Sequence, residues 1–171
     1  MDALKQDKKN NFSFLIQRYN LICFSTVVLI FLIDRLSKIK IINHNLDDSR
    51  IYVNDFLNFD LVWNNGIGFG LLSSNSNLIY NSITTIIGLV IIFLIYLIFK
   101  SKFIDKILFC FVLGGALGNF YDRIVYFAVP DFIDFHYQNF HWFTFNIADI
   151  FITMGILILL MKDLLFKNEK I

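Results

Sequence analysis

Five aspartates, Asp34, Asp122, Asp131, Asp134 and Asp149, stand inside or beside long apolar runs. Ionisable groups drawn into such runs are candidates for function, because leaving them there uncompensated is costly. Two carboxylates held close together cannot both ionise cheaply, so they share a proton across neutral pH. One can then take a proton from water while the other polarises a peptide carbonyl, which is the logic of an aspartyl protease. Asp131 and Asp149 are 18 residues apart, with a loop able to bring them together. Spacing alone does not prefer this pair over Asp122, Asp134 or Asp34.

Each polar group also has a plainer reading. Asp34 and Lys38, four apart and so on one helix face, form an interfacial ion pair, and Asp122 with Arg123 another. Asn146, followed three residues later by Asp149, resembles a helix capping box, with Asp149 favoured by the helix N-terminus. Gly114-Gly115-Ala116-Leu117-Gly118 holds a small-xxx-small spacing that lets helix backbones approach. Gly66-Ile67-Gly68-Phe69-Gly70 lacks the spacing and the βαβ context of a nucleotide loop. Cys23 and Cys110 fall in apolar runs and read as buried, reduced thiols. His44, His136 and His141 match no metal-ligand spacing, so no metal is expected.

These residues must be positioned by elements that the composition describes well. Of 171 residues, 57% are hydrophobic and 17% charged, with a net charge of +1. That excludes a disordered chain and a basic nucleic-acid binder, and the length fits one domain spanning 1–171. Four apolar runs predict four transmembrane helices over about 19–42, 78–99, 103–121 and 143–161. Crossing about 30 Å of hydrocarbon takes about 20 residues, and only Leu78 to Phe99 meets this without polar residues. The first run is followed by Ile33-Asp34-Arg35 rather than a small-residue cleavage site, so it reads as an uncleaved anchor.

Four crossings put both termini on one side. Ten lysines and arginines lie there and five on the other, which orients the termini to the cytoplasm. The outer loops, about 43–77 and 122–142, are not featureless. Leu57 to Leu61 alternates apolar and polar, and Asn65-Gly66 reads as a tight turn before Ile67 to Leu72, so a small β-sheet is expected there. On this topology Asp34, Lys38, Asn64, Gly66, Asn119, Asp122, Arg123, Asp131, Asp134, Asn146 and Asp149 converge on the outer leaflet. A transporter or channel subunit would instead carry polar residues through the midplane, and a presenilin-type protease would carry a G-x-G-D block, which is absent.

Five blocks, in order, resemble the lipoprotein signal peptidase (signal peptidase II) family. They are Asp34-Arg35-Leu36-Ser37-Lys38, Asn64-Asn65-Gly66-Ile67-Gly68-Phe69, Gly114 to Arg123, Val129-Pro130-Asp131-Phe132-Ile133 and Phe145-Asn146-Ile147-Ala148-Asp149. The resemblance implies a catalytic dyad of Asp131 and Asp149. It implies supporting or substrate-orienting roles for Asp34, Lys38, Asn64, Gly66, Asn119, Asp122, Arg123 and Asn146. It further implies a hydrolase of the bacterial cytoplasmic (inner) membrane with its site toward the outer face. That enzyme removes the signal peptide from diacylglyceryl-modified prolipoproteins, cleaving before the lipidated cysteine. No metal or organic cofactor is implied. The expected partners are those prolipoproteins, membrane lipids and globomycin-type inhibitors, with the enzyme a monomer. Ile67-Gly68 stands where the family has Ala-Ala, changing bulk near the expected substrate edge, and Pro130 stands where it has Val, stiffening the segment before Asp131.

Overall fold

The computed structural model describes residues 2–44, 50–66, 77–138 and 140–166, with side chains from residue 18 onward and excepting 77 and 166. Helix α1 runs Asp2–His44, strands β1 Ile51–Asn54 and β2 Leu57–Asn64, helices α2 Asn77–Lys100 and α3 Phe103–Tyr126, strands β3 Val129–Tyr137 and β4 Phe140–Phe145, and helix α4 Ile147–Phe166. The α-helical architecture with a small sheet agrees with expectation, while several boundaries differ. Residues 143–145 close a strand instead of opening the last helix, since the alternating run from Phe140 pairs with β3. Asp131 and Asp134 lie on β3 rather than in a loop. Helix α3 runs on to Tyr126 because Asp122 and Arg123 find partners across the bundle and need not face water. The stretch Ile67 to Leu72 lies outside the described residues.

Among the described residues, two helices are long and apolar enough to cross a membrane, Leu78–Lys100 and Phe103–Tyr126. Helix α3 is the centre of the bundle and packs on α1, α2 and α4. Its glycines make that possible. A Cβ on Gly114 would meet Ile30 and the Val27 carbonyl of α1, and one on Gly115 would lie 2.5 Å from the Ala148 carbonyl of α4. Gly118 presses on the Asp34 side chain, and Gly155 of α4 on Val112 and the Leu108 carbonyl. The small-residue spacing is therefore a packing device on two faces of α3. On its remaining face Val112 and Leu113 bury with Ile91 and Leu94 of α2.

The four strands form one antiparallel sheet in the order β1-β2-β3-β4. Three register shifts shape it, one of them in β1 between Tyr52 and Asn54. β2 carries one extra residue between Phe59 and Val62, opposite Ile133 to Asp131. β4 carries another at Trp142, because Phe135 pairs with Phe143 while His136 pairs with His141. Tyr137 pairs with Phe140, and the hairpin turn places Gln138 at φ 53°, the left-handed region that such short turns require. Strand β3 leaves the end of α3, and β4 leads straight into α4, so the hairpin joins the C-terminal end of α3 to the N-terminal end of α4.

Candidate active site

Asn146 organises the site. It ends the chain's extended path and caps α4, accepting the Asp149 N–H on Oδ1 at 3.1 Å while its own N–H donates to Asp149 Oδ2 at 3.2 Å. This is the reciprocal capping box read in the sequence. Its Nδ2 is left free by that geometry and donates to Asp131 Oδ1 at 2.6 Å. One residue thus touches both carboxylates, one carried by a strand and one by the first turn of a helix. The remaining oxygens are also held: Asn64 Nδ2 donates to Asp131 Oδ2 at 2.8 Å, and Asn119 Nδ2 to Asp149 Oδ1 at 2.8 Å.

Asp131 is only 2% exposed. Burial pushes its carboxyl up to about 7, and the charge of Asp149 pushes the same way. The hydrogen bonds from Asn64 and Asn146 and the charge of Lys38 oppose the rise without cancelling it. A carboxyl group that holds a proton near neutral pH, beside a second carboxylate, is what acid–base hydrolysis of an amide requires.

Beneath the pair lies a buried polar cluster between α1, α3 and α4. Lys38 Nζ donates to Asp34 Oδ2 at 2.7 Å, Asp122 Oδ2 at 2.7 Å and Asn119 Oδ1 at 2.9 Å, which uses all three of its donors. Asp34 Oδ1 accepts the Ala148 N–H at 2.9 Å, one of the N–H groups that the start of α4 leaves without an intrahelical partner. Asn119 therefore relays between Lys38 and Asp149, turning its amide oxygen to the first and its amide nitrogen to the second. Arg35 completes the cluster through its ion pair with Asp122, its hydrogen bond to Tyr126 at 3.2 Å and its packing 4.7 Å over the Tyr121 ring.

The structure gathers all ten residues singled out for the site, and it corrects one pairing. Asp122 and Arg123 do not pair with each other. Neighbours on a helix point about 100° apart, so Asp122 turns to Lys38 and Arg35 while Arg123 turns to the Gly66 carbonyl. The Asp34–Lys38 pair does form, but with both side chains wholly buried instead of interfacial. Gly66 is held in turn by its N–H to Asn64 Oδ1 at 2.8 Å, so Asn64 links Asp131 to the Gly66 turn. Arg35 and Tyr80 were missed: Tyr80 donates to the Arg123 carbonyl at 2.7 Å, and nothing in its apolar run marks it. Arg35 sits inside the Asp34 block and could have been suspected from its charge.

Two open spaces reach Asp149. A cavity of about 330 Å³ between α2, α3 and α4 is lined by apolar residues such as Ile87, Val90, Leu94 and Ile156, with Asn119, Arg123 and Asp149 at its polar end. A second, of about 260 Å³, is lined by Phe143, Phe145, Ile150 and Met154 and touches Asp149 from the other side. Arg123 keeps Nε and Nη1 buried without hydrogen-bond partners among the described residues. Arg123 lines the apolar slot, and a guanidinium there suits the carbonyls of an extended chain.

Residues 26–166 match the family model described as Signal peptidase (SPase) II. A lipoprotein signal peptidase of Pelagibacter ubique (strain HTCC1062) is 49% identical over 146 residues, covering 84% of this chain and 88% of the relative. That of Francisella tularensis subsp. novicida (strain U112) is 44% identical over 126 residues, covering 70% and 76%. A solved structure described as a bacterial membrane enzyme, determined by the in meso method at 2.3 Å resolution, superposes with a TM-score of 0.70. It is 28% identical and the match covers 87% of this chain and 91% of that one.

Proposed function

The chain belongs to the signal peptidase II family and is a peptidase that removes signal peptides from prolipoproteins; on that premise we propose that Asp131 and Asp149 are its catalytic pair. The observation that carries this is Asn146 bound to both carboxylates at once. With one proton shared by the pair, the ionised member draws a proton from water and the water attacks the scissile carbonyl. The protonated member donates to the carbonyl oxygen as charge develops there. The proton belongs to the pair and not to either residue. Asn64, Asn119 and Asn146 fix the carboxylates. Lys38, Asp34, Asp122 and Arg35 hold α1, α3 and α4 in the register that makes Asn119 and Asn146 meet Asp149.

Arg123, held by Gly66, offers its unpartnered Nε and Nη1 donors to substrate carbonyls, and the apolar slot between α2, α3 and α4 takes the signal helix. We read the whole chain as one domain with four crossings. Helices α1 and α4 support this through exposed apolar faces like that of α2: Leu21, Phe24 and Leu29 on the first, Leu157, Leu160 and Leu164 on the last, and Leu89, Ile92 and Phe93 on α2. Both termini then face the cytoplasm, and the sheet with the carboxylates lies at the outer face of the bacterial cytoplasmic membrane. The substrate is a diacylglyceryl-modified prolipoprotein, kept in the bilayer by its acyl chains and cut before the lipidated cysteine. A globomycin-type cyclic peptide would compete for the same slot, and a monomer suffices because one chain supplies every group named.

Reconstitution with a diacylglyceryl-modified prolipoprotein, read as a mobility shift on a gel with and without globomycin, tests this. Asp131→Asn and Asp149→Asn should each abolish cleavage while the protein still inserts. Near-normal turnover by either variant would sink the assignment.

A further inference from the structure

We propose that Asp134, His136 and His141 form a binding site for a divalent transition-metal ion of the zinc type, built into the β3–β4 hairpin and separate from the Asp131–Asp149 pair. In a regular strand, residues three apart face opposite sides, so Asp131 and Asp134 project from opposite faces of β3. Asp134 and His136, two apart, share a face. His141 joins them because of the bulge. Without the extra residue at Trp142, the register that pairs Phe135 with Phe143 would set His141 opposite Tyr137, on the other face. With it, His141 stands directly across from His136, and the rings lie 5.3 Å apart. Bulges re-aim side chains in this way near ligand sites.

The donor set suits zinc chemistry. One ligand atom from each residue lies within 4.8 Å of the others. His141 Nδ1 is 2.9 Å from Asp134 Oδ2, and His136 Nδ1 is 3.8 Å from the same oxygen. Zinc held at its usual nitrogen and oxygen distances sets neighbouring ligand atoms about 3.3 Å apart, midway between these separations. Two imidazoles, which are borderline donors, beside a single carboxylate make a better match for zinc than for calcium or magnesium. Asp134 and His136 are buried while His141 is exposed, which leaves an entry path on one side.

Asn58 supplies an independent indication. It pairs with Asp134 across β2 and β3, is 5% exposed, and keeps Oδ1 buried without a hydrogen-bond partner among the described residues. Its Nδ2 lies 3.4 Å from His136 Nδ1 and 3.5 Å from Nε2. Once His136 coordinates an ion through Nδ1, its Nε2 carries a proton that needs an acceptor. Turning the Asn58 amide, with a rotation of the His136 ring that aims Nε2–H at it, would give the orphaned Oδ1 its partner and the imidazole its orienting hydrogen bond. The ion would then tie β3 to β4, the strand pair that joins Asp131 to Asn146.

The test uses the full chain in detergent, purified through a tag without histidine and stripped with a chelator. Equilibrium dialysis against Zn²⁺ alone should give about one ion per chain. His141→Ala and Asp134→Asn should weaken binding by more than about tenfold, while His44→Ala leaves it unchanged. Co²⁺ in place of zinc should give the strong visible absorption of a four-coordinate site. No stoichiometric uptake, equal affinity in His141→Ala, or the weak spectrum of hydrated Co²⁺ would each overturn the proposal. Should Asp134→Asn fail to fold, His141→Ala still decides, because its ring is 44% exposed and the buried Asp134 carboxylate stays in place.

Discussion

At the scale of single residues, the site concentrates charge where solvent is scarce, and its carboxylates and Lys38 are tolerated because their neighbours complete them. Asp131 binds its proton more tightly in the folded chain, at about 7, than a free carboxyl does. Folding is therefore unopposed by this group below about pH 4, and its contribution turns unfavourable as pH rises to about 7, by about 4 kcal/mol in all. Asp131→Asn should flatten the fall in stability between pH 4 and 8, whatever constant offset it introduces. Unfolding midpoints measured across that range check this, and a slope equal to that of the unaltered protein refutes it. Activity should decline above about pH 7 for the same reason, since a doubly ionised pair has no proton to give. Lys38 is the opposite case. Lys38→Met leaves Asp34 and Asp122 buried with one cation, Arg35, between them, and should cost about 3–5 kcal/mol. Adding Asp34→Asn to that variant should recover part of the loss in a denaturant titration, because it removes the carboxylate left without its cation.

At the scale of elements, α3 positions the chemistry by how closely it lies to its neighbours. Gly115→Ala would set a Cβ 2.5 Å from the Ala148 carbonyl and 2.8 Å from Ile152 Cγ1, forcing α3 and α4 apart. The expected loss is about 1–3 kcal/mol of stability, the usual scale for overpacking. Activity should fall further than stability accounts for, since Asn119 on α3 and Asp149 on α4 meet at 2.8 Å. Gly88→Ala on α2 is the control. Its Cβ would lie 3.5 Å from the Phe120 ring, an ordinary contact, and both stability and turnover should hold. Equal effects from the two substitutions would show that α3–α4 spacing does not govern the site.

At the scale of the molecule, the question is how the bundle sits in the bilayer. Lys100, Lys102 and Lys106 mark the α2–α3 connection, whereas the sheet carries the Arg50–Asp60 pair at its far end. With the proposed orientation, a cysteine at Ser101 should react with a membrane-impermeant thiol reagent only after the cells are opened. One at Asp55 should react in intact cells. Cys23 and Cys110 are buried and supply no competing label. Labelling of both sites in intact cells would break the four-crossing arrangement, and a reversed pattern would invert it.

Much of this was legible in the sequence because the underlying physics is local. A helix reports itself through apolar length, the α4 cap through Asn146 and Asp149 three residues apart, and helix contact through glycines four apart. The end of strand β4, residues 143–145, was read as the start of the last helix because Phe143 and Phe145 are apolar either way, and only pairing with β3 distinguishes the two. Composition and spacing left five aspartates equivalent, and the resemblance to a family selected two. What tertiary structure decided is which groups meet. Asp122 pairs with Lys38 and Arg35, 84 and 87 residues away, rather than with its neighbour Arg123. Asn146 reaches Asp131 only because the hairpin folds back on the helix end. A bulge of one residue turns His141 toward His136 and Asp134. Residue type and spacing determine what a segment can do alone. Partners distant in the chain depend on strand register and helix rotation, which are set by packing of the whole bundle and leave no periodic trace in the sequence.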